Sequence, residues 1–598
     1  DPKFYQDLHW SRKFEKSSPK DKSFWGEGRF EFKIDVLIGN TSGLGSVITK
    51  YFSVEPWKLF HLTWDGIQWL NEDGSLYSDV KFINKFFTIE RLNNAMSNSN
   101  VTYKIVGNID LGGGELTIVS GSILDFQGGS FSNGTITLSN TELKGNVKLS
   151  SITLAGSCSN DITKLSWFTD DLANDYSANL QSLVNVTKVQ GTVDIDSLSF
   201  IVNTTVNITK ALTIRGNGTR NYYNLNIGSI RNKITTANDI VILNITSTQV
   251  RVEGITFIGA YSTLDPTTGV RLGTQALVSF SNASNCTLRN CNFLYSHIGA
   301  LFTNSGIANI EDNNFAGCNA GLRLMASPDS NLINNYFNTN SGNVEFTDAN
   351  ASALNGVGLS INASSGNINV IGGKCEWNNK GMVIANSMGV AIIGVQFDWN
   401  KSGNVIYNQT SYSLDSSILS HSITGCRFLG TPADQHIYIR YWSTANLNVC
   451  GCTFTKNASD VTAIDTSTGA NEGPESIFKV VQKQEADEYR TKIHINFKGN
   501  TIYRVVNLVN AVIQSTTPGL GQLVVVSADG QTLGKIGNCT IINNIDVAKG
   551  TSQWRETAIV TNNLSTDDAG LTYFDTDLNK LVLWNGTAWT NVDGSTLA

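Results

Sequence analysis

Residues 288–293 read LRNCNF, residues 310–315 read IEDNNF and residues 332–337 read LINNYF. The phenylalanines that close these stretches, Phe293, Phe315 and Phe337, are 22 residues apart. The same phrase has an aliphatic residue five positions before its last residue, and it recurs as VEGITF (252–257), VIGGKC (370–375), IIGVQF (392–397), ITGCRF (423–428) and VCGCTF (449–454). A phrase that returns at a short period indicates stacked repeats, each of which buries its apolar face against the next.

The order of residues inside the phrase predicts short strands and tight corners. Polar residues flank the aliphatic residue and the phenylalanine, as expected for a strand with one buried face. The residue three positions before the phenylalanine is always Gly, Asn or Asp. These types tolerate a left-handed backbone, so a corner is expected there, with Cys291, Asn313 and their equivalents stacked one position later. A glycine six positions after the aromatic residue predicts a second bend, at Gly299, Gly321, Gly381 and Gly403.

Composition narrows the classes of function. The 598 residues include 43 Lys and Arg against 50 Asp and Glu, a net charge of −7, and 16% of residues are charged. A charged share well below the ~25% of an average domain excludes a disordered acidic or basic chain. The chain has no long Lys/Arg run, so no nucleic-acid partner is expected. Apolar runs such as LVVV at 523–526 are too short to cross a bilayer, so no membrane insertion is expected.

The sequence offers no recognisable cofactor or metal site. Nine cysteines are spread along the chain without paired zinc spacing, which favours buried thiols over a disulfide framework or a metal centre. Phosphate-loop, zinc-protease, serine-hydrolase and calcium-loop motifs are absent from the sequence. We therefore expect no cofactor and no metal.

Residues 175–216 resemble the entry into the β-helices of the pectate-lyase superfamily. Tyr176, Leu180, Leu183 and Val184 lie at helical spacing after a capping Asp175, and β-rich segments with glycine follow. In that superfamily a short helix covers the open end of the first coil, which is both a sheet edge and an open core. The resemblance covers about residues 165–545. It implies an all-β fold: a right-handed parallel β-helix (solenoid) with a small N-terminal β region and a C-terminal β-meander module.

Two flanking segments are similar to parts of the tail proteins of phages and prophages of gut bacteria. A second helical pattern at residues 88–96 is followed by the glycine-rich short strands of a small β-helical neck. Residues 565–594, STDDAGLTYFDTDLNKLVLWNGTAWTNVDG, are similar to a terminal module of phage tail proteins, and their pattern predicts three strands. This module is either an end cap or an element for attachment, trimer locking or glycan contact. Lys and Arg cluster in the first 22 positions, which favours a solvated or partner-contacting arm.

The chain is accordingly expected to divide into four segments. These are an N-terminal arm with a small β attachment domain (1–87), a short β-helical neck (88–164), the main parallel β-helix (165–545) and a C-terminal β module (546–598). Long insertions between copies of the repeat are expected to leave the coil as loops and to form groove walls.

The candidate catalytic site arises where two copies of the repeat lie 22 residues apart. Alignment of CEWNNKGMVI (375–384) with FDWNKSGNVI (397–406) places Glu376 against Asp398 and Trp377 against Trp399. Facing carboxylates tend to separate their pKa values, so that one acts as general acid and the other as base. Glycoside hydrolases use such pairs, and tryptophans offer platforms for sugar rings.

Each of these features also has a structural interpretation. Lys380 and Lys401 would neutralise a solvated face, with the tryptophans merely covering a corner. Arg323 and Glu345 are predicted to stack on adjacent coils, either as a site for an acidic sugar or as a surface ion pair of small energetic value.

The segment HIYIRYW, residues 436–442, predicts a strand with three large side chains on one face. Tyr438, Arg440 and Trp442 would form either a glycan-binding surface or a subunit interface.

The resemblance and the residues together lead us to expect a phage tailspike-like receptor-binding protein. It would be a homotrimer on the virion tail that contacts phage tail or baseplate proteins through its N-terminal region. It would bind a bacterial surface polysaccharide. Binding alone and binding followed by depolymerisation are both compatible with the sequence. Lyases of the superfamily hold calcium with acidic residues, and no matching acidic ladder is present, so a glycoside hydrolase is favoured over a lyase. A secreted bacterial polysaccharide hydrolase or lyase and a non-catalytic structural tail protein or adhesin are the alternatives.

Overall fold

The structure is a computed structural model, and it describes a defined part of the chain. The continuous ranges are 88–170, 174–218, 233–260, 273–340, 356–408, 420–430, 435–440, 444–455 and 491–503, with separate short stretches elsewhere. The clustered basic residues near the N-terminus, Glu345, Trp442 and Cys539 lie outside the described residues.

Three long parallel sheets form the body of the protein, and each coil of the chain contributes one strand to each of them. In the described residues, sheet 1 consists of Ile162–Lys164, Thr192–Asp194, Thr213–Arg215, Arg251–Glu253, Thr287–Arg289, Asn309–Glu311, Asn331–Ile333, Ile368–Ile371, Val390–Ile393, Ser420–Thr424, Thr444–Cys450, Thr491–Lys498, Gly521–Ser527 and Thr540–Ile541. Sheet 2 consists, over the same residues, of Phe200–Ile201, Lys233–Thr235, Thr256–Ile258, Asn292–Leu294, Asn314–Ala316, Tyr336–Asn338, Lys374–Glu376, Gln396–Asp398, Arg427–Phe428, Thr453–Thr455 and Thr501–Tyr503. Sheet 3 likewise consists of Val206–Ile208, Leu243–Ile245, Ala276–Ser281, Ile298–Thr303, Ala320–Met325, Val357–Asn362, Lys380–Ala385, Val405–Asn408, Gln435–Arg440, Ser476–Lys483 and Asn507–Gln514. The predicted parallel β-helix is confirmed.

The repeated phenylalanine forms a continuous column inside the solenoid. Phe257, Phe293, Phe315 and Phe337 are fully or almost fully buried, and their rings stack with centroids 5.3, 4.9 and 5.2 Å apart. Cys375 continues the column in register with Phe337. Each buried side chain of this size contributes roughly 1.5–3 kcal/mol, and stacked aromatic pairs add about 0.5–1.5 kcal/mol. This column is therefore the main reason why the copies stack at this spacing.

The corner predicted three positions before the phenylalanine is confirmed. The residues there have φ between +52° and +68°: Gly254, Asn290, Asp312, Asn334, Gly372, Gly394, Gly425 and Gly451. One position later, the backbone N–H of Cys291 donates to Asn313 Oδ1 at 2.9 Å, and that of Asn313 donates to Asn335 Oδ1 at 3.1 Å. At the corner these backbone N–H groups have no partner in a neighbouring strand, and the buried side-chain amides accept their hydrogen bonds instead. The same hydrogen bonds link successive coils.

The second bend does not lie at three of the four glycines predicted to form it. Gly299, Gly321 and Gly381 lie inside strands of sheet 3, whereas Gly403 precedes the strand Val405–Asn408 and has a φ of +132°. A side chain on Gly321 would place its Cβ 2.9 Å from Phe315 Cβ and 2.6 Å from the Gly358 carbonyl oxygen, so this position needs glycine because of close packing. The left-handed corner lies two positions after the phenylalanine, with φ between +48° and +67°, at Tyr295, Gly317, Thr339, Trp377, Trp399 and Gly430.

A helix covers the core where the solenoid begins, as predicted. It runs from Ser177 to Val186, with the four predicted apolar residues buried, and the Asp175 carboxylate accepts the backbone N–H of Ser177 at 2.9 Å. The helix contacts both the strand Leu149–Cys158 before it and the strand Val206–Ile208 after it. It therefore closes the junction between two stacks of strands, where an uncovered sheet end would expose apolar core.

The strands before this helix also pair in parallel. They are Val80–Ile83, Thr102–Ile105, Asn108–Asp110, Glu115–Thr117, Ile123–Phe126, Ser130–Gly145 and Leu149–Cys158. The second predicted helix is present at Ile89–Ala95, with the Thr88 side chain accepting the Arg91 backbone N–H. Leu165–Trp167 forms a 3₁₀ turn. Nearer the N-terminus, Phe30–Ile38 pairs antiparallel with Ser46–Val54, and Thr63–Trp64 pairs antiparallel with Trp69–Leu70.

The three strands predicted near the C-terminus are confirmed as a meander. Thr572–Asp575, Lys580–Trp584 and Trp589–Asn591 pair antiparallel, and a further strand, Ala548–Gly550, adds to the first of them in parallel. Trp584 and Trp589 are buried with ring centroids 5.6 Å apart. In the described part of the chain, the helices are all too short or too polar to cross a membrane.

Candidate functional site

The candidate carboxylates lie on the outer face of sheet 2. Asn338, Glu376 and Asp398 are direct partners on three successive strands, so the predicted stacking of Glu376 on Asp398 is confirmed. The inward neighbours of the two carboxylates are Cys375 and Phe397, both fully buried. Because alternate residues of a strand face opposite sides, both carboxylates point away from the core.

Glu376 lies in an environment that favours its protonated form. The residue is only 7% exposed, although the Tyr336 hydroxyl donates to its Oε1 and so favours the ionised form. Burial, followed by repulsion from Asp398, raises the pKa of Glu376 to about 6. A carboxylic acid with such a pKa is still largely protonated in mildly acidic solution, as a general acid must be.

Trp377 and Trp399 follow the two carboxylates directly at the corner, where Trp377 is exposed and Trp399 is half-buried. Their rings are parallel within 4° with centroids 5.4 Å apart, and Trp377 is 54% exposed. Both have a left-handed backbone, with φ of +57° and +50°. This conformation costs roughly 1–2 kcal/mol for a residue with a side chain, and other coils place Gly317 or Gly430 at the same corner. The local backbone does not favour tryptophan here, so a role for the exposed rings is the better explanation.

A ladder of buried asparagines holds this corner in place. The backbone N–H and the side-chain amide of Asn340 donate to Asn378 Oδ1 at 3.1 and 2.9 Å. Those of Asn378 donate in the same way to Asn400 Oδ1 at 3.1 and 2.9 Å. The Asn400 amide continues to Asn404 Oδ1 at 2.8 Å. A fully satisfied buried network rigidifies the backbone, so the ladder fixes the positions from which the tryptophan rings project.

The lysines that the structural interpretation invokes do not share one solvated face. Lys380 is 1% exposed and belongs to the strand Lys380–Ala385 of sheet 3, whereas Lys401 is exposed. A neutralised surface patch therefore does not account for the pair of carboxylates. Lys374 lies on the same strand as Glu376, and its Nζ lies 5.9 Å from the ring centre of Tyr336.

Glu345, the predicted partner of Arg323, lies outside the described residues. The strand neighbours of Arg323 are Leu301 in the preceding coil and Ser360 in the following one, so the register does not pair Arg323 with a residue 22 positions later. The prediction was wrong because the chain from 341 to 355 separates two paired strands, so a 22-residue step from Arg323 does not reach the next strand. Arg323 does point outward, between the buried Leu322 and Leu324.

Tyr438 does not form an exposed glycan-binding surface. It belongs to the strand Gln435–Arg440, is only 5% exposed, and packs in a cluster with Val357, Val383 and Ile406. A buried ring offers no face to a sugar, so this expectation was wrong. The side chain of Arg440 lies outside the described residues, as does Trp442.

Tyr336 and Asn338 complete the site but were not predicted from the sequence. They stand one position before and one position after Phe337, and the same two places in the next coil hold Lys374 and Glu376. The signal was available, because residues on either side of the inward phenylalanine form the two outward rows of sheet 2.

Comparisons with known proteins found no matching family model and no matching curated protein. Among solved structures, the chain is similar to the Dettilon tailspike protein (TM-score 0.44, 12% identity, covering 63% of this chain and 68% of that one). It is also similar to the catalytic unit of a thermostable α-1,3-glucanase from Streptomyces thermodiastaticus (0.42, 14%, 65% and 68%). A third similar structure is the full-length tailspike protein 2 of an Escherichia coli O157:H7 bacteriophage (0.41, 14%, 64% and 48%), so the chain spans about half of that protein. These identities and TM-scores are too low to assign an activity, which has to follow from the residues of the site.

Proposed function

We propose that this protein binds a bacterial surface polysaccharide along the outer face of sheet 2 and hydrolyses it between Glu376 and Asp398. The observation that carries the proposal is the stacked pair of the exposed Trp377 and the half-buried Trp399, held in an unfavourable backbone conformation directly beside two facing carboxylates. Flat apolar rings suit the faces of sugar rings, and paired carboxylates suit cleavage of the bond between sugars.

The two carboxylates have different environments and take different roles. Glu376 is buried and its raised pKa keeps it protonated, so it delivers the proton to the departing glycosidic oxygen. Tyr336 occupies Oε1, which leaves Oε2 for that proton. Asp398 is more exposed and acts as the nucleophile. Neighbouring strands lie about 4.8 Å apart, which is closer to the ~5–5.5 Å of retaining enzymes than to the ~6.5–9.5 Å of inverting ones.

The experiment is turnover of purified capsular polysaccharides, followed by reducing ends, absorbance at about 235 nm and the anomer released. Glu376→Gln and Asp398→Asn should each lower turnover about 10²–10⁴-fold, with the folded state retained. Glu311→Gln, which changes an outward carboxylate on sheet 1, is the matched control and should keep full turnover. Full activity in both site variants would exclude this site, and an unsaturated product absorbing near 235 nm would indicate a lyase.

The proposal extends to a homotrimeric, tailspike-like receptor-binding protein on a virion tail. The supporting observation is a strip of exposed isoleucines on the outer face of sheet 1. Ile333, Ile371 and Ile393 are direct partners on three successive strands and are 37%, 38% and 40% exposed. A continuous apolar strip in a wall of polar residues is typical of a surface that another copy of the chain covers. The N-terminal region would then contact tail or baseplate proteins, and the similarity of the sequence to tail proteins supports that placement.

Sedimentation of the full chain tests the assembly. We expect a trimer, with Ile371→Asp shifting it towards monomer and Asn369→Asp, in the neighbouring outward row of the same sheet, leaving it assembled. A monomeric wild-type protein that still depolymerises polysaccharide would instead identify a secreted hydrolase. A trimer that binds polysaccharide without turnover would identify an adhesin or a structural tail protein.

A further inference from the structure

Arg323 presents a positive charge on the outer wall of sheet 3, away from the two carboxylates. It is partly buried, and its partners in the strand register are Leu301 in the preceding coil and Ser360 in the following one. No hydrogen bond or ion pair joins its guanidinium to a side chain in the described part of the chain, and its Nε atom is buried without an acceptor. Burial without a partner lowers the pKa of this guanidinium.

Such an arrangement is costly unless a ligand offsets it. Removing a charge from water without a compensating partner destabilises the folded state, and most buried charges are paired for this reason. Arg215, on sheet 1, is by contrast paired with Asp194 at 2.6 Å. Among the described residues, Arg323 therefore has the donors of an arginine in a binding site without the partner of an arginine in a structural ion pair.

The neighbouring charged groups leave this positive charge uncompensated. His297 lies close enough for the charge of Arg323 to lower its pKa, in addition to the larger effect of burial. The Asn319 amide donates to His297 Nδ1 at 3.0 Å, so Nε2 carries the proton of the neutral ring and is available as a donor. Asp239, the acidic group that acts on His297, is held by the backbone N–H groups of Thr274 and Gln275 at 2.8 and 3.2 Å.

The position fits a subsite of the proposed polysaccharide groove. Arg323 belongs to the coil of Phe315, and Trp377 and Glu376 belong to the coil of Cys375, two coils further along the solenoid. Two coils correspond to about 10 Å along the axis. Thr339 and Trp377 lie on the corner that joins sheet 2 to sheet 3, the sheet that carries Arg323.

We propose that Arg323 on the outer wall of sheet 3 binds the anionic group of an acidic polysaccharide. The single formal charge of this site matches a single negative charge, as in the carboxylate of a uronic acid or in a phosphodiester between sugars. This inference rests on the proposed function and names its substrate class: the polymer is acidic, with an anionic unit placed about two coils away from the bond that is cleaved. A guanidinium fork binds such groups with two parallel hydrogen bonds, which gives orientation as well as affinity.

The test is binding of the full chain to immobilised capsular polysaccharides by surface plasmon resonance. Each uronate-containing polymer is paired with its own carboxyl-reduced derivative, and a phosphodiester-linked polymer represents the second anionic source. We expect the wild-type protein to bind at least one anionic polymer about tenfold or more tightly than the neutral forms, with affinity falling as salt rises. Arg323→Gln should abolish that preference, Arg323→Lys should restore part of it, and Arg289→Gln on sheet 1 should leave it intact.

Thermal unfolding of the same variants separates a binding role from a structural one. Because the guanidinium has no partner among the described residues, Arg323→Gln should be at least as stable as the wild type, whereas loss of a structural ion pair would destabilise it. Equal binding of acidic and neutral polymers, or a preference that survives in Arg323→Gln, overturns the inference even if Glu376-dependent turnover is present. An Arg323-dependent preference without turnover supports the inference and removes only the hydrolytic step.

Discussion

The coils of Phe293 and Phe315 and the coils of Cys375 and Phe397 share one backbone plan but have different outer walls. In the first region the row that follows the phenylalanine is apolar, and Ile258, Leu294 and Ala316 form a buried cluster there. In the second region the same row holds Glu376 and Asp398. We call these the apolar wall and the carboxylate wall. Both the apolar wall and the carboxylate wall are compatible with the same backbone fold. We therefore attribute the residues that distinguish the carboxylate wall to function.

The corner residues show the same contrast. In the apolar wall this corner holds Tyr295 and Gly317, and Gly317 adopts the left-handed backbone without strain, whereas the carboxylate wall places tryptophan there in both coils, at Trp377 and Trp399. The core also changes, because Cys375 replaces phenylalanine in the inner column. We therefore expect stability to be concentrated in the coils of the apolar wall and recognition in those of the carboxylate wall, and this division can be tested.

The largest effect is expected from the core of the apolar wall. Phe315→Ala removes a fully buried ring that stacks on Phe293 and Phe337, so it should lower the free energy of unfolding by about 3–5 kcal/mol. Cys375→Ala, at the same place in the carboxylate wall, removes one sulfur atom and should cost far less. Chemical denaturation of both variants measures the difference, and equal costs would contradict the proposed division of roles.

The second-largest effect is expected on the affinity for the polysaccharide, without loss of folding stability. Replacing Trp377 and Trp399 together by glycine gives the carboxylate wall the glycine corner of the Phe315 coil. Loss of the two stacked rings from a binding surface should weaken polysaccharide binding about 10–100-fold. Stability should be unchanged or higher, because each glycine relieves about 1–2 kcal/mol of backbone strain at the corner. Thr339→Gly, on the same corner with φ of +48°, is the control that relieves strain without removing a ring.

These two measurements separate the alternatives for the corner. If the tryptophans only covered the corner, the double variant would lose stability and keep its affinity for the polymer.

The contrast also shows how far sequence carries the interpretation. The corner at Asn290 and Asp312 was predictable, because Gly, Asn and Asp mark left-handed positions. The other corner carries tyrosine, threonine and tryptophan at left-handed positions, and no residue preference signals it. The 22-residue spacing predicted strand partners correctly where no insertion intervenes, as for Glu376 and Asp398. It failed for Arg323 and Glu345, because an insertion separates their coils.

Burial of outward residues was the least predictable feature. Tyr438 alternates correctly to the outer side of its strand, yet it is buried against Val383 and Ile406. Strand periodicity assigns a residue to a face, but it does not encode what packs on that face. The raised pKa of Glu376 has the same origin, because facing carboxylates were predictable and the degree of burial was not.

The next effect concerns acid stability in the coils below the carboxylate wall. His421 is 2% exposed, its Nδ1 accepts the Val390 backbone N–H at 3.3 Å, and burial lowers its pKa to about 4. An unfolded histidine has a pKa of about 6.5, so between pH 6.5 and 4 the unfolded chain binds the proton more strongly. Stability should therefore be fully present above about pH 6.5 and decrease as the pH falls towards 4, by about 1–2 kcal/mol at pH 5.

His421→Asn isolates this contribution, since the asparagine oxygen can still accept the Val390 N–H but does not titrate. Thermal unfolding at pH 7 and pH 5 should show a smaller decrease for the variant than for the wild type. His436, which is fully buried with its pKa lowered to about 3, contributes in the same direction in both proteins. An identical decrease in the two proteins would contradict the assignment to His421.

The smallest predicted effect concerns the pKa of Glu376, the acid of the carboxylate wall. Glu376 must be protonated to act, so turnover should fall as the pH rises through its pKa of about 6. The Tyr336 hydroxyl donates to Oε1 and thereby stabilises the ionised carboxylate. Tyr336→Phe removes that donor and should move the falling limb of the pH–rate profile upward by about half to one pH unit, at most roughly 1.4 kcal/mol.

Gln396→Leu, in the same outward row of sheet 2 but in the coil of Asp398, is the matched control. Because the two aromatic side chains fill the same space, a purely structural role for Tyr336 would change the maximum rate and leave the limb in place. A shift of the limb at a similar maximum rate assigns the proton donor to Glu376.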